Sequence, residues 1–202
     1  MIITIAHTKG GVGKSTLAWH LAHSFEKPKN VKIIDLDFQQ TLYFVNVISG
    51  DTLNVLQPLS VDELINELEA VAPDDICIVD VGGFDSDINR AAIEHSDRVV
   101  IPISESITEV LGFRTFEGIL KELKVNAEIH VVLNNIHPLT KNFDIIKEAV
   151  SKNKMKLLNT VVRSRKIFRT TMGDGSHIFK VADHLQAKQE ILGVRDELRC
   201  NQ

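Results

Sequence analysis

The residues with the clearest chemical potential form a glycine-rich segment near the start of the chain. They are Lys9, Gly10, Gly11, Val12, Gly13, Lys14, Ser15 and Thr16. Glycines allow backbone N–H groups to converge on phosphate oxygens, because a Cβ would block the close approach or the backbone angle that it needs. A helix that begins at this segment adds positive partial charge where the anion lies. Lys14 can then reach the β- and γ-phosphates of a nucleotide, and the Ser15 hydroxyl can ligate Mg²⁺.

Two later segments place carboxylates at the ends of short apolar runs. Asp35 and Asp37 follow one such run, and Asp80 ends another. A bound nucleotide needs a held Mg²⁺ and a water oriented for in-line attack. Two acids after a strand, taken alone, are more often capping or surface residues. Their occurrence together with a phosphate-binding loop favours the catalytic interpretation of Asp37.

Short β-branched runs alternate with helical stretches, and these elements must position the loop and the carboxylates. Predicted strands cover Ile2–Ala6, Val31–Asp35, Ile76–Asp80, Arg98–Ile103 and Glu128–Leu133. Predicted helices cover Lys14–Phe25, Val61–Val71, Ile88–His95, Val110–Leu123, Phe143–Lys152 and Val181–Arg199. Continuous apolar strands separated by helices indicate a parallel sheet covered on both faces. The expected architecture is a three-layer α/β fold with a mostly parallel twisted sheet, in one domain spanning residues 1–202.

The glycine-rich segment departs from the ordinary pattern G-x-x-x-x-G-K-[ST] in one respect. Position 8 is threonine instead of glycine, and a second lysine, Lys9, stands inside the loop. This K-G-G-x-G-K-S form resembles the deviant Walker A motif of the ParA/MinD family of ATPases, which have a P-loop NTPase fold. The alternative is a tight glycine turn with two solvated lysines. The resemblance implies that Lys9 reaches across a nucleotide-sandwich homodimer to the phosphates of the partner.

The same resemblance assigns roles to the carboxylates. The family usually reads D-x-D-P-Q where this chain has D-L-D-F-Q from Asp35, which implies that Asp37 orients the attacking water and that Asp35 supports the Mg²⁺ shell. Phe38 replaces the proline, and we expect a less rigid loop. Asp80 matches the Walker B acid and is expected to hold Mg²⁺ through water. Gly83 stands where the family commonly has proline, which leaves a backbone N–H free to meet a γ-phosphate.

The distal half resembles the family more loosely. Asn134 matches an asparagine that contacts adenine, and the segment that contains Arg163 resembles a late loop that closes over the base. No guanine-reading N-K-x-D occurs in the sequence, so the resemblance implies ATP with Mg²⁺. The expected catalytic residues are Lys9, Lys14 and Asp37. The expected nucleotide contacts are Gly10, Gly11, Val12, Gly13, Lys14, Ser15, Thr16, Gly83, Asn134 and Arg163. The expected metal-site residues are Ser15, Asp35 and Asp80.

A basic segment lies in an otherwise acidic chain. The sequence has 23 Lys plus Arg against 27 Asp plus Glu and a net charge of −4, which excludes a protein that coats nucleic acid by bulk charge. The candidate DNA contacts are Lys152, Lys154, Lys156, Arg165, Lys166 and Arg169. Such a patch can bind DNA without reading its sequence, although a charge run alone is as often a solvated face. The resemblance to ParA-like proteins, whose ATP-bound dimers bind DNA non-specifically, favours DNA binding.

The sequence therefore predicts a ParA-type ATPase for plasmid or chromosome partitioning, with weak intrinsic activity. Its homodimer would bind ATP and non-specific DNA, and a separate centromere-binding, ParB-like partner would stimulate hydrolysis and release. The alternative is a MinD- or flagellar-number-type positioning ATPase that acts at a membrane or a protein complex. A metabolic P-loop ligase shares the fold, but no second substrate pocket is readable from the sequence.

Several features predict a cytoplasmic, nucleoid-associated location without membrane docking. No apolar run approaches the roughly 20 residues that span a bilayer, and the amino terminus lacks the basic region of a signal peptide. Cys77 and Cys200 are distant in sequence and form no C-x-x-C pair, which is typical of a reducing compartment. The segment 190–199 has mixed charge and does not resemble the basic amphipathic helix that lies on a membrane.

Overall fold

The computed structural model describes residues 1–25, 30–50, 53–83, 85–104, 107–123, 125–152 and 155–200. Within these residues, seven parallel strands form one sheet with the order β3-β2-β4-β1-β5-β6-β7. The strands are β1 (Ile2–Ile5), β2 (Val31–Leu36), β3 (Asn54–Leu56), β4 (Ile76–Val81), β5 (Arg98–Ile103), β6 (Glu128–Ile136) and β7 (Lys156–Arg163).

Helices cover both faces of the sheet. They are α1 (Lys14–Ala22), α2 (Thr41–Ser49), α3 (Val61–Glu69), α4 (Asp87–Glu94), α5 (Ile107–Glu122), α6 (Asp144–Ser151), α7 (Lys166–Gly173) and α8 (Leu185–Arg199), with a 3₁₀ turn at Ile178–Lys180. One apolar core lies between the sheet and α1, α2, α7 and α8. The second core lies between the sheet and α3, α4, α5 and α6. The predicted three-layer α/β fold with a parallel sheet is confirmed.

The register of the central strands brings the predicted site to one edge of the sheet. Asp35 of β2 lies opposite Asp80 of β4, and Asp80 also pairs with Ile5 of β1. All three positions are at the carboxyl ends of their strands. In open parallel α/β sheets this edge is where ligands bind, and here the loop between β1 and α1 begins at the same edge.

Helix α1, which carries the phosphate-binding loop at its start, is held firmly in the first core. Leu17, Trp19 and Leu21 are fully buried, and the Trp19 indole N–H donates to the carbonyl oxygen of Ser176 at 2.8 Å. His20 on the same helix is also buried and accepts from the backbone N–H of Ile178 through Nδ1 at 3.3 Å. This packing fixes the direction in which the helix points its N-terminus.

Some elements differ from the sequence prediction. The predicted strands and most helices agree with the structure to within three residues, but α8 begins at Leu185 instead of Val181 because His184 adopts a left-handed φ of 68°. Within the described residues, the sequence does not predict the 3₁₀ turn, two strands (β3 and β7) or two α-helices (α2 and α7). Helix α2 lacks the polar face that marks a surface helix, and β7 begins within the basic segment. Among the described helices, none combines the length and the hydropathy that a membrane-spanning helix requires.

Candidate nucleotide site

The loop between β1 and α1 depends on glycine at two positions. Gly11 and Gly13 have φ angles of +80° and +87°, a region that residues with a Cβ rarely adopt. Gly13 is also the residue that caps α1, so the turn delivers the chain directly into the first helical N–H groups. Those groups have no partner within the helix and therefore provide a ready site for an anion.

Lys14 turns back over the loop. Its ammonium Nζ donates to the carbonyl oxygen of Lys9 at 3.2 Å, and the side chain is almost fully buried. Burial lowers the pKa of Lys14, while the negative charges of Asp80 and Asp37 oppose this effect. A buried cation therefore lies between the glycine loop and two carboxylates, which is the position that the β- and γ-phosphates of a nucleotide require.

The backbone of Lys9 is held by His7, a residue that no motif in the sequence identifies. The backbone N–H of Lys9 donates to Nδ1 of His7 at 2.9 Å, and the buried imidazole of His7 stacks against the ring of Phe116 on α5. Gly112 on α5 leaves room for that imidazole, because a Cβ there would lie 3.2 Å from Cε1 of His7. In the sequence, this role of His7 is indicated only by its position between β1 and Lys9, and a histidine at such a position has no specific meaning.

Asp80 is the most unusual charged group of the site. It is fully buried, and neither carboxylate oxygen has a hydrogen-bond partner in the part of the chain that the structure describes. Burial raises the pKa of Asp80 to about 8, although the nearby Ser15 hydroxyl favours the charged form. A buried carboxylate without partners, next to a hydroxyl, is a donor set of the kind that Mg²⁺ prefers. The residues present therefore fit a magnesium ion.

Asp35 and Asp37 are held in different ways. The buried Asp35 carboxylate accepts backbone N–H groups from Asp37 at 3.1 Å, from Leu42 at 2.9 Å and from Tyr43 at 3.1 Å. Asp35 thus ties the loop after β2 to the start of α2, and its predicted support of the Mg²⁺ shell stays a prediction. Asp37 is partly exposed, and its Oδ1 accepts the backbone N–H of Gln39 at 2.9 Å.

Gly83, the expected backbone contact to a γ-phosphate, lies against the glycine loop. A Cβ at this position would be 3.5 Å from the backbone nitrogen of Gly10 and 3.5 Å from the carbonyl oxygen of Thr8. The segment after β4 therefore runs beside the phosphate-binding loop. Its predicted contact with a γ-phosphate is compatible with this placement.

A cavity of about 130 Å³ opens on the other side of the loop. Gly13, Thr16, Asn134 and Phe168 contribute to its walls. Asn134 is buried at the end of β6 and donates from Nδ2 to the carbonyl oxygen of Val12 at 2.8 Å. The cavity has the position expected for the nucleoside, and Asn134 joins its wall to the phosphate-binding loop.

Arg163 borders this cavity but directs its guanidinium elsewhere. Its Nη1 donates to the carbonyl oxygens of His137 at 3.1 Å and of Thr140 at 2.8 Å. The side chain therefore holds the loop after β6 in place. Its predicted contact with the base stays a prediction.

The structure divides the basic segment into two groups. Lys152 and Lys156 lie near the start of β7, whereas Arg165, Lys166 and Arg169 follow its end, and an eight-residue strand separates the groups by roughly 25 Å. Lys154 lies outside the described residues. Lys152 pairs with Glu148 at 2.7 Å and Arg165 pairs with Glu190 at 2.6 Å. The second group lies at the nucleotide edge, with Lys166 and Arg169 exposed.

The parallel sheet, the glycine turn and the buried Lys14 together define a nucleotide-binding protein of the P-loop class. Residues 3–178 match the CobQ/CobB/MinD/ParA nucleotide binding domain. The chain belongs to this family, as its deviant Walker A motif predicted, and the ParA and MinD proteins of the family are ATPases.

Individual proteins are similar to this chain in sequence or in fold. The chain is 24% identical to the maintenance of carboxysome distribution protein A of Halothiobacillus neapolitanus over 205 residues. That alignment covers 97% of this chain and 95% of the relative. A proposed plasmid partition protein of Borrelia burgdorferi B31 bound to AMPPNP is similar with a TM-score of 0.75 and 20% identity, covering 98% of both chains. The MinD cell division protein of Aquifex aeolicus is similar with a TM-score of 0.74 and 18% identity, covering 100% of this chain and 98% of that one.

Proposed function

We propose that the protein is a ParA-type ATPase that segregates a cargo such as a plasmid or a chromosome. Two copies close around two ATP molecules with Mg²⁺, bind DNA without sequence preference, and release it after hydrolysis. Intrinsic turnover is weak, and a separate centromere-binding, ParB-like protein stimulates it. The protein acts in the cytoplasm, in association with the nucleoid.

One observation carries the ATPase part of this proposal. The buried ammonium of Lys14 lies at the Lys9 carbonyl oxygen, close to the buried carboxylate of Asp80 that has no partner among the described residues. Burial of these two charged groups costs free energy in an empty site. A bound triphosphate and its cation would compensate for this cost by pairing with them. Ser15 and Asp80 would hold Mg²⁺, which neutralises phosphate charge when it is bound.

The proposed roles combine the family resemblance with the positions of the side chains. Lys14 binds the β- and γ-phosphates of its own nucleotide, and Lys9 extends to the phosphates bound by the partner. Asp37 orients the attacking water, since its carboxylate is partly exposed beside the phosphate-binding loop. The exposed Lys166 and Arg169 lie at the nucleotide edge, so closure of a dimer there would place two such pairs on one surface and strengthen DNA binding through avidity.

The names of similar proteins support a role in cargo distribution. One relative maintains carboxysome distribution and another is a proposed plasmid partition protein. The similarity to MinD favours a second candidate, a positioning ATPase that acts at a membrane or a protein complex. Helix α8 argues against membrane docking through its own surface, because Ala187, Ile191, Val194 and Leu198 are buried.

A paired binding assay separates the two candidates. Duplex DNA without a specific site and anionic liposomes are each mixed with the protein and with ATP, ADP or no nucleotide. The proposal predicts binding to DNA with ATP that weakens steeply as salt increases. The double substitution Lys166→Ala, Arg169→Ala should weaken DNA binding, and the matched control Lys121→Ala, on α5, should not. Binding to liposomes but not to DNA would replace the proposal with the positioning role.

A further inference from the structure

The carboxylate of Glu190 on α8 binds the end of strand β7 and the start of α7. Its Oε2 accepts the backbone N–H of Arg163 at 3.1 Å. The guanidinium of Arg165 donates to the same carboxylate twice, from Nη2 to Oε1 at 2.6 Å and from Nε to Oε2 at 3.3 Å. One side chain of α8 therefore holds both the backbone and a charged side chain of the segment after β7.

The ion pair between Glu190 and Arg165 is largely shielded from water. The Glu190 side chain is 14% exposed and the Arg165 side chain is 26% exposed. A bidentate pair of this kind fixes the plane of the guanidinium, whereas a fully exposed ion pair contributes little. Gln186, one turn earlier on α8, supports the same orientation, because its Oε1 accepts from Nη2 of Arg165 at 3.3 Å.

Arg165 is also part of the wall of the cavity beside Gly13 and Asn134, where we expect the nucleoside. Phe168, three residues further along the chain, lines the same cavity. Guanidinium planes and aromatic rings are groups on which proteins stack bases. A guanidinium whose plane is already fixed can contact a base without paying the entropy of ordering a flexible side chain.

We propose that Glu190 is a positioning residue for the nucleoside part of ATP. It acts through Arg165, whose guanidinium it holds at the cavity wall. This inference rests on the proposed ATP binding and extends it, because the affinity for the nucleoside, unlike the affinity for the triphosphate, then depends on helix α8. It also assigns Arg165 to the nucleotide instead of to DNA, since the positive charge of this side chain is already paired with a carboxylate.

Glu197, two turns further along α8, provides a matched control. Its carboxylate accepts the backbone N–H groups of Asn159 and Thr160 on β7, at 2.7 Å and 2.8 Å. Gly193 lies between the two glutamates and lets α8 approach the strand, because a Cβ there would be 2.6 Å from Oγ1 of Thr160. Both carboxylates thus bind N–H groups of the same strand, but Glu190 binds residues of the cavity wall and Glu197 binds residues outside it.

Isothermal titration calorimetry of the full chain with ATP and with inorganic tripolyphosphate, each with Mg²⁺, tests this inference. Glu190→Ala should weaken ATP binding about five- to tenfold and tripolyphosphate binding less than about twofold, since one charge-assisted contact is lost on the nucleoside side alone. Glu190→Gln retains an acceptor oxygen and should recover part of the loss. Glu197→Ala should lower thermal stability as Glu190→Ala does, but it should keep the wild-type ratio of the two affinities.

A double substitution tests whether Glu190 acts through Arg165. Arg165→Ala alone should weaken ATP binding by a factor similar to that of Glu190→Ala. The variant with both substitutions should show little further loss, because the effects of two residues that act as a unit do not add. Losses that multiply in the double variant would contradict the positioning role.

The remaining outcomes separate this inference from the proposed function. Equal weakening of ATP and tripolyphosphate in Glu190→Ala would overturn the inference, as would an unchanged ATP affinity or a shifted ratio in Glu197→Ala. An Arg165→Ala variant that loses DNA binding and keeps its ATP affinity would return this residue to the DNA contacts and overturn the inference as well. A wild-type protein that binds neither ligand would contradict the proposed ATPase itself, and the inference with it.

Discussion

Asn134 donates from its side-chain Nδ2 to the carbonyl oxygen of Val12 across a distance of 2.8 Å. The bond joins the end of β6 to the loop that precedes α1, and both residues are buried. Val12 comes just before Gly13, whose φ of +87° starts the helix. Asn134 therefore helps to hold the phosphate-binding turn, in addition to its predicted contact with adenine.

The two roles of Asn134 can be distinguished by the ligand. Asn134→Ala removes the donor to Val12, and a lost hydrogen bond of about 1 kcal/mol should weaken ATP binding roughly fivefold. If the turn is loosened, binding of inorganic tripolyphosphate should weaken by a similar factor. Isothermal titration calorimetry measures both ligands. Unchanged tripolyphosphate binding, with weaker ATP binding, would show that Asn134 acts on the base alone.

His7 positions Lys9 through the bond between its Nδ1 and the Lys9 N–H, at 2.9 Å. His7→Ala should weaken the AMPPNP-dependent dimer about two- to tenfold, because the proposed intersubunit lysine loses an anchor. His7→Asn offers a carbonyl oxygen that can accept the same N–H and should recover part of the loss. The dissociation constant of the dimer, measured by sedimentation, reports the effect. Equal dimerisation of His7→Ala and wild type would refute the positioning role.

Burial of Asp80 makes the stability of the nucleotide-free protein depend on pH. Its pKa is raised from 3.8 to about 8 by burial, so the folded protein retains a proton that the unfolded chain has released between these values. The free energy of unfolding therefore falls as pH rises across this interval. His20 has the opposite effect on the free energy of unfolding below pH 6.5. Burial lowers its pKa from 6.5 to about 4, so between these values stability rises with pH.

Between pH 6.5 and about 8 the Asp80 contribution is no longer opposed by His20. We predict that stability falls there by at most about 1.4 kcal/mol per pH unit, without nucleotide and Mg²⁺. Asp80→Asn has no carboxyl proton to lose and should show a flatter profile. Urea unfolding, followed by circular dichroism at several pH values, measures both proteins. Parallel profiles would contradict the assignment of a raised pKa to Asp80.

Asp37 is expected to act on water and not on nucleotide affinity. Asp37→Ala should lower the rate of phosphate release at least about a hundredfold and leave AMPPNP binding nearly unchanged. Asp37→Asn is the informative control, because its amide oxygen can still accept the Gln39 N–H that Asp37 accepts at 2.9 Å. Both variants should be similarly inactive. Activity retained by Asp37→Asn would indicate that the residue only shapes the loop.

The sequence was sufficient for the central elements of the fold. Strands β4 and β5 are buried along their whole length, so they appear in the sequence as nearly continuous apolar runs, which are typical of a parallel sheet covered on both faces. Helix α2 is not predicted because apolar residues lie on both its buried and its exposed sides, so the sequence lacks the helical period of an amphipathic helix. Strand β7 is an edge strand whose exposed positions carry lysine and asparagine, so its first residues resemble part of a charge run.

The site likewise contains residues that a local sequence pattern identifies and contacts that no local pattern identifies. Lys14, Ser15 and Asp80 lie in local motifs whose spacing identifies them. The bond from Asn134 to Val12 joins residues 122 positions apart, and no local pattern encodes such a contact. The basic residues were predicted as one patch because they are close in sequence. An extended strand between them separates the two groups, since each strand residue advances the chain by about 3.3 Å.

A crystal structure of the protein with AMPPNP and Mg²⁺ tests the central claim most directly. We predict density for the triphosphate at the N-terminus of α1, beside Gly13 and Lys14, with Mg²⁺ next to Ser15 and Asp80. A second copy should face the first, with its own Lys9 at these phosphates. A glycine turn without nucleotide in crystals grown at saturating AMPPNP would contradict the account.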